Sequence, residues 1–360
     1  MKLNVKRSHL SYFIILALCL LIIHTYYFNR AIDFGFKSAS EINARHSDVK
    51  LPQPRRSQLV LAWTTFFRSN KSYDAIDCIT TYDRKFLKSA DAVIFHLRDV
   101  NRRDMPKLKV KGQKWILFNL ESPVNSGSVE NFNELAPLID LTMTYRRDSN
   151  IFVPYGRLQK LEQPRTSIAP INFANKSKTI AWFVSHCQTE SKREVIANII
   201  RNHTDVDIYG SCGELTCSRQ VDDYCYRMLS EQYKFYLSFE NSICTDYVTE
   251  KLFKVMKYDV IPIVYGGADY ASILPENSYI DVRNFSSIEK FISYIQYVGN
   301  DEKVYKSYFE WRKFYKVSNV NRNQALCDVL TSTDVVSRPY EIHHWWYTDG
   351  NCGQMKKPFI

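Results

Sequence analysis

Short apolar runs separated by polar, helix-compatible stretches recur along this chain. QLVLAWTTFF (Gln58 to Phe67), DAVIFHL (Asp91 to Leu97) and KWILFNL (Lys114 to Leu120) form one series. TIAWFVS (Thr179 to Ser185), VDIYG (Val206 to Gly210), FYLSFE (Phe235 to Glu240) and VIPIVYG (Val260 to Gly266) form a second. Runs that are apolar at successive positions predict parallel strands buried on both faces, because alternation is lost when neither face meets water. Between the first two runs of the second series, Val195, Ile196, Ile199 and Ile200 predict the apolar face of a helix. Strand, helix, strand in two series predicts two Rossmann-like α/β domains facing a cleft. PYGRLQKLEQPRTS (Pro154 to Ser167) is the expected hinge, with ligands at the C-terminal ends of the strands.

The flanks have a different pattern. Leu10 to Phe28 carries no charge and is long enough to cross a hydrocarbon core, with Lys2, Lys6 and Arg7 before it and Tyr26, Tyr27 and Phe28 at its far end. No small-x-small cleavage site follows, so the expectation is an uncleaved signal-anchor in a lipid bilayer. The basic N-terminal side predicts a type II topology. Residues 1–9 are then a cytoplasmic tail, 10–28 the transmembrane span and 29–56 a polar stem. Residues 57–160 and 161–316 are the two α/β domains. Past about Val317 the rhythm of strands and helices fades, and 317–360 reads as an irregular tail.

Charge and cysteines sharpen this. The net charge of +10 is spread along the 360 residues, which suits an anionic ligand or surface, and no zinc-finger, RNP or long basic run supports nucleic acid. Outside the span, Cys78, Cys187, Cys212, Cys217, Cys225, Cys244, Cys327 and Cys352 make an even set, as expected of disulfides in an oxidising compartment. Asn70, Asn175, Asn202 and Asn284 open N-x-S/T triplets for N-glycosylation. No metal site is expected: the cysteine spacings fit none, adjacent His343 and His344 rarely face one ion, and the DVD at Asp205 to Asp207 sits where a buried strand begins.

The chemistry concentrates in YLSFENSICTDYVTEKLF (Tyr236 to Phe253). A helix after Asp246 would bury Val248, Leu252, Val255 and Met256 and present Tyr247, Glu250 and Lys251 from its first turns, where the amides and dipole favour an anion such as a diphosphate. Periodicity alone favours a solvated amphipathic helix with a surface ion pair.

This stretch resembles the donor-binding signature of the α1,3/4-fucosyltransferases, in the form of their invertebrate members. LPENSYIDVRNFSSIEKFISYI, YKSYFEWR, NLESP (Asn119 to Pro123), MTYRRDSNIFVPYG (Met143 to Gly156) and AWFVSHC continue the resemblance from about Leu59 to Arg312. It implies a GT-B architecture, a Golgi type II membrane protein and inverting transfer of L-fucose from GDP-β-L-fucose. The acceptor it implies is the 3-OH of GlcNAc in glycoprotein N-glycans, with distal Gal-β1,4-GlcNAc as the alternative. By resemblance Glu121 is the catalytic base, while Arg193, Asn241, Tyr247, Glu250 and Lys251 bind the donor. His96, Tyr145 and Arg146 match motifs assigned to the acceptor or pocket, with a structural role equally open to Tyr145 and Arg146. No cofactor is required, and a divalent cation (Mg or Mn) would stimulate at most. A catalytically silent lectin-like relative would be expected to lack Glu121, Arg193 or Lys251, and all three are present.

Overall fold

The computed structural model describes residues 57–67, 78–217, 222–332, 341–353 and 359. The expected cytoplasmic tail, transmembrane span, stem and Asn70 lie outside them. Among the described residues no helix is long and apolar enough to cross a membrane.

The first series of runs forms a six-stranded sheet of β1 (Gln58–Ala62), β2 (Cys78–Thr81), β3 (Ala92–His96), β4 (Lys114–Asn119), β5 (Leu141–Thr144) and β6 (Ile151–Phe152). All neighbours are parallel in the order β2-β1-β3-β4-β5-β6. Every residue of β3 is buried, as a strand covered on both faces requires. On one face Phe95, Trp115, Leu117 and Phe132 meet Trp345 and Trp346; on the other Ile94, Ile116, Phe118 and Met143 meet Leu326 and Cys327.

The chain leaves this sheet through β7 (Arg157–Lys160), within the expected hinge. It then builds β8 (Lys178–Phe183), β9 (Val206–Tyr209), β10 (Tyr233–Phe239), β11 (Ile261–Tyr265) and β12 (Ile280–Asp281). These five are also parallel, in the order β12-β11-β10-β8-β9. β13 (Tyr315–Ser318) returns antiparallel to β7, so the outgoing and returning segments are hydrogen-bonded to each other. Both sheets belong to one compact unit, residues 57–360.

Two elements differ from the sequence reading. The helix Arg193–Arg201 forms, but its buried face is Arg193, Ile196, Ala197 and Ile200, while Val195 is exposed and Ile199 half-buried. The phase is rotated because Arg193 points inward, which an apolar count does not register. The segment after Val317 is also less irregular than expected. Asn321 caps a helix over Arg322–Thr331 by accepting from the Gln324 amide, and Leu326 and Cys327 bury against the first sheet. Leu326, Val329 and Leu330 carry its period across little more than one turn, too short to stand out.

Four disulfides fix loops: Cys78–Cys327, Cys187–Cys212, Cys217–Cys225 and Cys244–Cys352. The first ties β2 to the helix that covers its sheet, across 249 residues of chain. Replacing Cys78 and Cys327 together by Ala is expected to cost about 2–4 kcal/mol and to lower the melting temperature measured by scanning calorimetry. An unchanged melting temperature would mean that packing alone holds this helix.

Candidate active site

A cavity of about 560 Å³ opens at the C-terminal ends of β8, β9 and β10. Phe183, Tyr209, Tyr226 and Tyr236 form an aromatic wall, with the Phe183 ring edge-on to the other three at 5.2–5.5 Å. Arg193, Lys251 and Lys254 bring positive charge to the same cavity, and Asn241 and Glu250 complete the polar side. Gly210 lines it with φ +101°, and a Cβ there would stand 2.5 Å from the Val184 carbonyl oxygen, so glycine is required.

Four of the five donor residues expected from sequence are therefore brought together. Arg193 is buried and donates from Nη1 to the Phe239 carbonyl (2.8 Å) and from Nη2 to that of His186 (3.2 Å), while adjacent Lys192 is exposed in the left-handed region. The inward cation is Arg193. Its Nε and the Asn241 Oδ1 are both buried without a hydrogen-bond partner. Burial holds the Arg193 pKa below its ordinary value against the opposing field of Glu240, yet a guanidinium remains charged.

Glu240 was not singled out from sequence, although it is the one charge ending the apolar run FYLSFE. It is fully buried and accepts from the Thr249 amide (2.7 Å) and from Thr249 Oγ1 (2.8 and 3.0 Å). Lys251 Nζ lies 3.3 Å from Glu240 Oε2, 3.4 Å from Glu250 Oε1 and 2.8 Å from Thr249 Oγ1. Burial pushes the Glu240 carboxyl up, with Lys251 and the Thr249 hydrogen bonds opposing it. For Lys251, burial works against the charge, and Glu240 and Glu250 more than offset it, so its pKa lies above the usual lysine range.

This arrangement changes the expected helix. Asp246 takes φ +59°, Thr249 is the N-cap, and only Glu250–Phe253 is α-helical. Tyr247 and Val248 precede the helix, and a single turn has little dipole, so the cationic side chains supply the field. Tyr247 is buried and absent from the lining of the cavity. It packs edge-on against Tyr145 at 4.9 Å and points its hydroxyl at Glu121 Oε2, 3.5 Å away.

Glu121 follows β4, at the C-terminal edge of the first sheet. Its loop is held from several sides. Asn119 Nδ2 donates to the Glu121 carbonyl (3.0 Å) and to Ser126 Oγ (2.9 Å), and Trp346 Nε1 donates to the same Ser126 oxygen (3.0 Å). Ser122 Oγ donates to Ser242 Oγ (2.7 Å) and Asn125 Nδ2 reaches that oxygen at 2.9 Å, which joins this loop to the one after β10. Burial raises the Glu121 pKa, while Arg98 and Lys251 pull it down and Glu250 pushes it up.

The remaining expected residues divide. His96 ends β3, buried against Phe66, Phe67 and Phe118, with Nδ1 3.0 Å from Asp99 Oδ2 and Nε2 unpartnered. Arg146 is buried: it pairs bidentately with Asp148, donates to the Trp345 carbonyl at 2.5 Å and lies over the Trp345 ring. Tyr145 is buried with its hydroxyl unpartnered. Asn175, Asn202 and Asn284 are exposed. Asp207 stands away from the cavity, paired with Lys178 at 2.7 Å. Among the described residues no group of three or more His, Cys, Asp or Glu side chains could hold a metal ion.

Residues 55–156 match the family model "Fucosyltransferase, N-terminal", and residues 173–346 match "Glycosyltransferase family 10 (fucosyltransferase) C-term". The α-(1,3)-fucosyltransferase C of Drosophila melanogaster is 35% identical over 334 residues, 81% of this chain and 78% of that protein. The chain belongs to glycosyltransferase family 10. A second relative of this fucosyltransferase, glycoprotein 3-α-L-fucosyltransferase A of D. melanogaster, is 35% identical over 76% of the chain and 55% of its own length. The crystal structure of an α1,3-fucosyltransferase aligns with TM-score 0.53 and 15% identity over 80% of this chain and 94% of that one, which shows a shared GT-B fold of α/β sheets. The fucosyltransferase is thus a glycosyltransferase, as the sequence resemblance implied.

Two outcomes follow from the buried groups. Thr249→Val removes the hydroxyl that holds the Glu240 carboxylate and is expected to destabilise the fucosyltransferase by about 1–3 kcal/mol. Glu250→Gln, on an exposed side chain, should change stability by less than about 0.5 kcal/mol, and chemical denaturation of both variants checks the contrast. His96 has a lowered folded pKa, caused first by burial and only partly offset by Asp99. The folded state therefore binds fewer protons, and stability is lost as pH falls below about 6.5. Melting curves between neutral pH and pH 5 should show this slope reduced in His96→Gln; an equal slope would assign it to other groups.

Proposed function

We propose that this protein transfers L-fucose from GDP-β-L-fucose to the 3-OH of GlcNAc in glycoprotein N-glycans, with inversion, as a single-pass type II protein of the Golgi membrane. The observation that carries the donor reading is that Arg193, Asn241, Glu250 and Lys251 line one cavity with an aromatic wall. A nucleoside diphosphate offers the matching chemistry: a flat base for the aromatic wall, two phosphates for Arg193 and Lys251, and ribose hydroxyls for Glu250. The crystal structure of an α1,3-fucosyltransferase with GDP also aligns, with TM-score 0.50. The names of the Drosophila relatives support α1,3 transfer, and one of them supports a glycoprotein acceptor. Four disulfides fit a lumenal location.

In the proposed step the acceptor oxygen attacks the anomeric carbon of fucose on the face opposite GDP. The bond from that carbon to the β-phosphate oxygen breaks, and the acceptor hydroxyl proton passes to the Glu121 carboxylate. Arg193 and Lys251 neutralise the charge that develops on the diphosphate, with no reorganisation needed at the moment of reaction. The β-linked donor thereby gives an α-linked product. Burial of Glu121 raises its basicity, while Arg98 and Lys251 keep its ionised form accessible.

The test incubates the full-length protein with GDP-fucose and two acceptors, an N-glycan core and Gal-β1,4-GlcNAc, with products read by mass spectrometry and linkage analysis. Fucose on the innermost GlcNAc is expected. Fucose on the distal unit alone would reassign the acceptor and keep the chemistry. Glu121→Gln should lower kcat about 10²–10⁴-fold and Lys251→Ala about 10²–10³-fold. A fully active Glu121→Gln would exclude that residue as the base.

A further inference from the structure

Tyr247 stands in the donor signature but not in the donor cavity. Its ring is buried between the two sheets, against Tyr145, and its hydroxyl has Glu121 as its hydrogen-bond partner. Ser242, in the same loop and fully buried, receives Ser122 Oγ at 2.7 Å and Asn125 Nδ2 at 2.9 Å, on either side of the turn that follows Glu121. The loop after β10 thus holds the loop after β4 at two places, one at the backbone turn and one at the carboxylate.

We infer that Tyr247 and Ser242 are positioning residues for Glu121: the donor-side loop sets the place and orientation of the base on the acceptor side. The inference rests on the reading of Glu121 as the base. A carboxylate on a free loop samples several rotamers, and an error of about 1 Å in its position can cost about a hundredfold in rate. The Tyr247 hydroxyl occupies one carboxylate oxygen, Oε2, and leaves Oε1 to take the proton. Its 3.5 Å separation is long for O–H···O, as hydrogen bonds at catalytic groups often are before substrate binds. The loop after β10 also approaches the donor cavity, since Asn241 precedes Ser242 and Glu250 follows Tyr247 by three residues. Donor binding and base placement are therefore properties of one loop.

The charged and titratable groups that act on Glu121 are Arg98 from the turn after β3, Lys251 and Glu250 from the helix Glu250–Phe253, and the hydroxyls of Tyr145, Tyr155 and Tyr247. Burial raises the carboxyl and the Tyr247 hydrogen bond opposes that rise. Tyr247→Phe keeps the ring packing and removes only the donor, so the Glu121 pKa should move up and the acidic limb of the kcat profile should shift to higher pH.

The experiment compares full-length wild type, Tyr247→Phe, Ser242→Ala and Glu121→Gln by steady-state kinetics across pH, with GDP affinity measured by calorimetry. Tyr247→Phe is expected to lower kcat about tenfold, shift its acidic limb upward and leave GDP affinity within about twofold. Ser242→Ala should lower kcat with GDP affinity likewise retained, which also shows that both variants are folded. A tenfold or greater loss of GDP affinity in Tyr247→Phe with an unmoved acidic limb would overturn the inference and return Tyr247 to the donor. An unchanged kcat in Tyr247→Phe beside an inactive Glu121→Gln would sink this inference alone. An active Glu121→Gln would sink the base assignment, and the inference with it.

Discussion

The site is organised around one buried carboxylate. Glu240 ends the central strand of the second sheet with no exposure to solvent, a position that is costly unless the charge is satisfied. Thr249 satisfies it with an amide and a hydroxyl, and Lys251 supplies the counter-ion. Meeting that demand fixes where the following helix begins, and hence where Glu250 and Lys251 enter the cavity. It also acts through space on Arg193, whose charge Glu240 favours without a direct ion pair. Arg193, bound by two backbone carbonyls, retains hydrogens for a ligand, while Lys251 Nζ is already held among Glu240, Glu250 and Thr249.

The loop that carries Glu121 is ordered by the same economy of contacts. Asn119 fixes it from within its own sheet, Ser242 and Tyr247 from the other sheet, and Trp346 from the C-terminal segment. That segment is itself tied to the loop after β10 by Cys244–Cys352, by Thr245 N donating to the Gly350 carbonyl and by Gly353 N donating to that of Ile243. The region expected to be an irregular tail therefore braces the loops that face each other across the site. Its side chains do this through tryptophan indoles and backbone groups, which leave no periodic trace.

The sheets were legible because burial on both faces writes itself as continuous apolar runs. β3, β4, β10 and β11 coincide with DAVIFHL, KWILFNL, FYLSFE and VIPIVYG to within a residue or two. Arg193, Asn241, Glu250 and Lys251 were legible through motif resemblance and share one cavity. Glu240 and Ser242 were not, since their importance lies in partners nine and 120 residues away. The aromatic wall was equally hidden: Phe183, Tyr209, Tyr226 and Tyr236 come from three strands and a helix and look like ordinary core positions in sequence. Tyr247 differs from its neighbours in sequence: they line the cavity, while its own side chain packs against Tyr145 and reaches Glu121.

Three of the four disulfides stand beside this site rather than in the body of the fold. Cys187–Cys212 joins the loops that follow β8 and β9, Cys217–Cys225 lines the cavity and Cys244–Cys352 ties the donor loop to the brace. Loops at the ends of parallel strands are normally the least constrained parts of such a fold. Electrostatic stabilisation of a leaving diphosphate gains most when the cations are already in place, because a loop that must order itself spends part of the interaction on its own entropy. Crosslinks on the rim move that cost from the reaction to folding. The buried Glu240 has the same effect on Lys251, so covalent and electrostatic constraints converge on a cationic cavity set before the donor arrives.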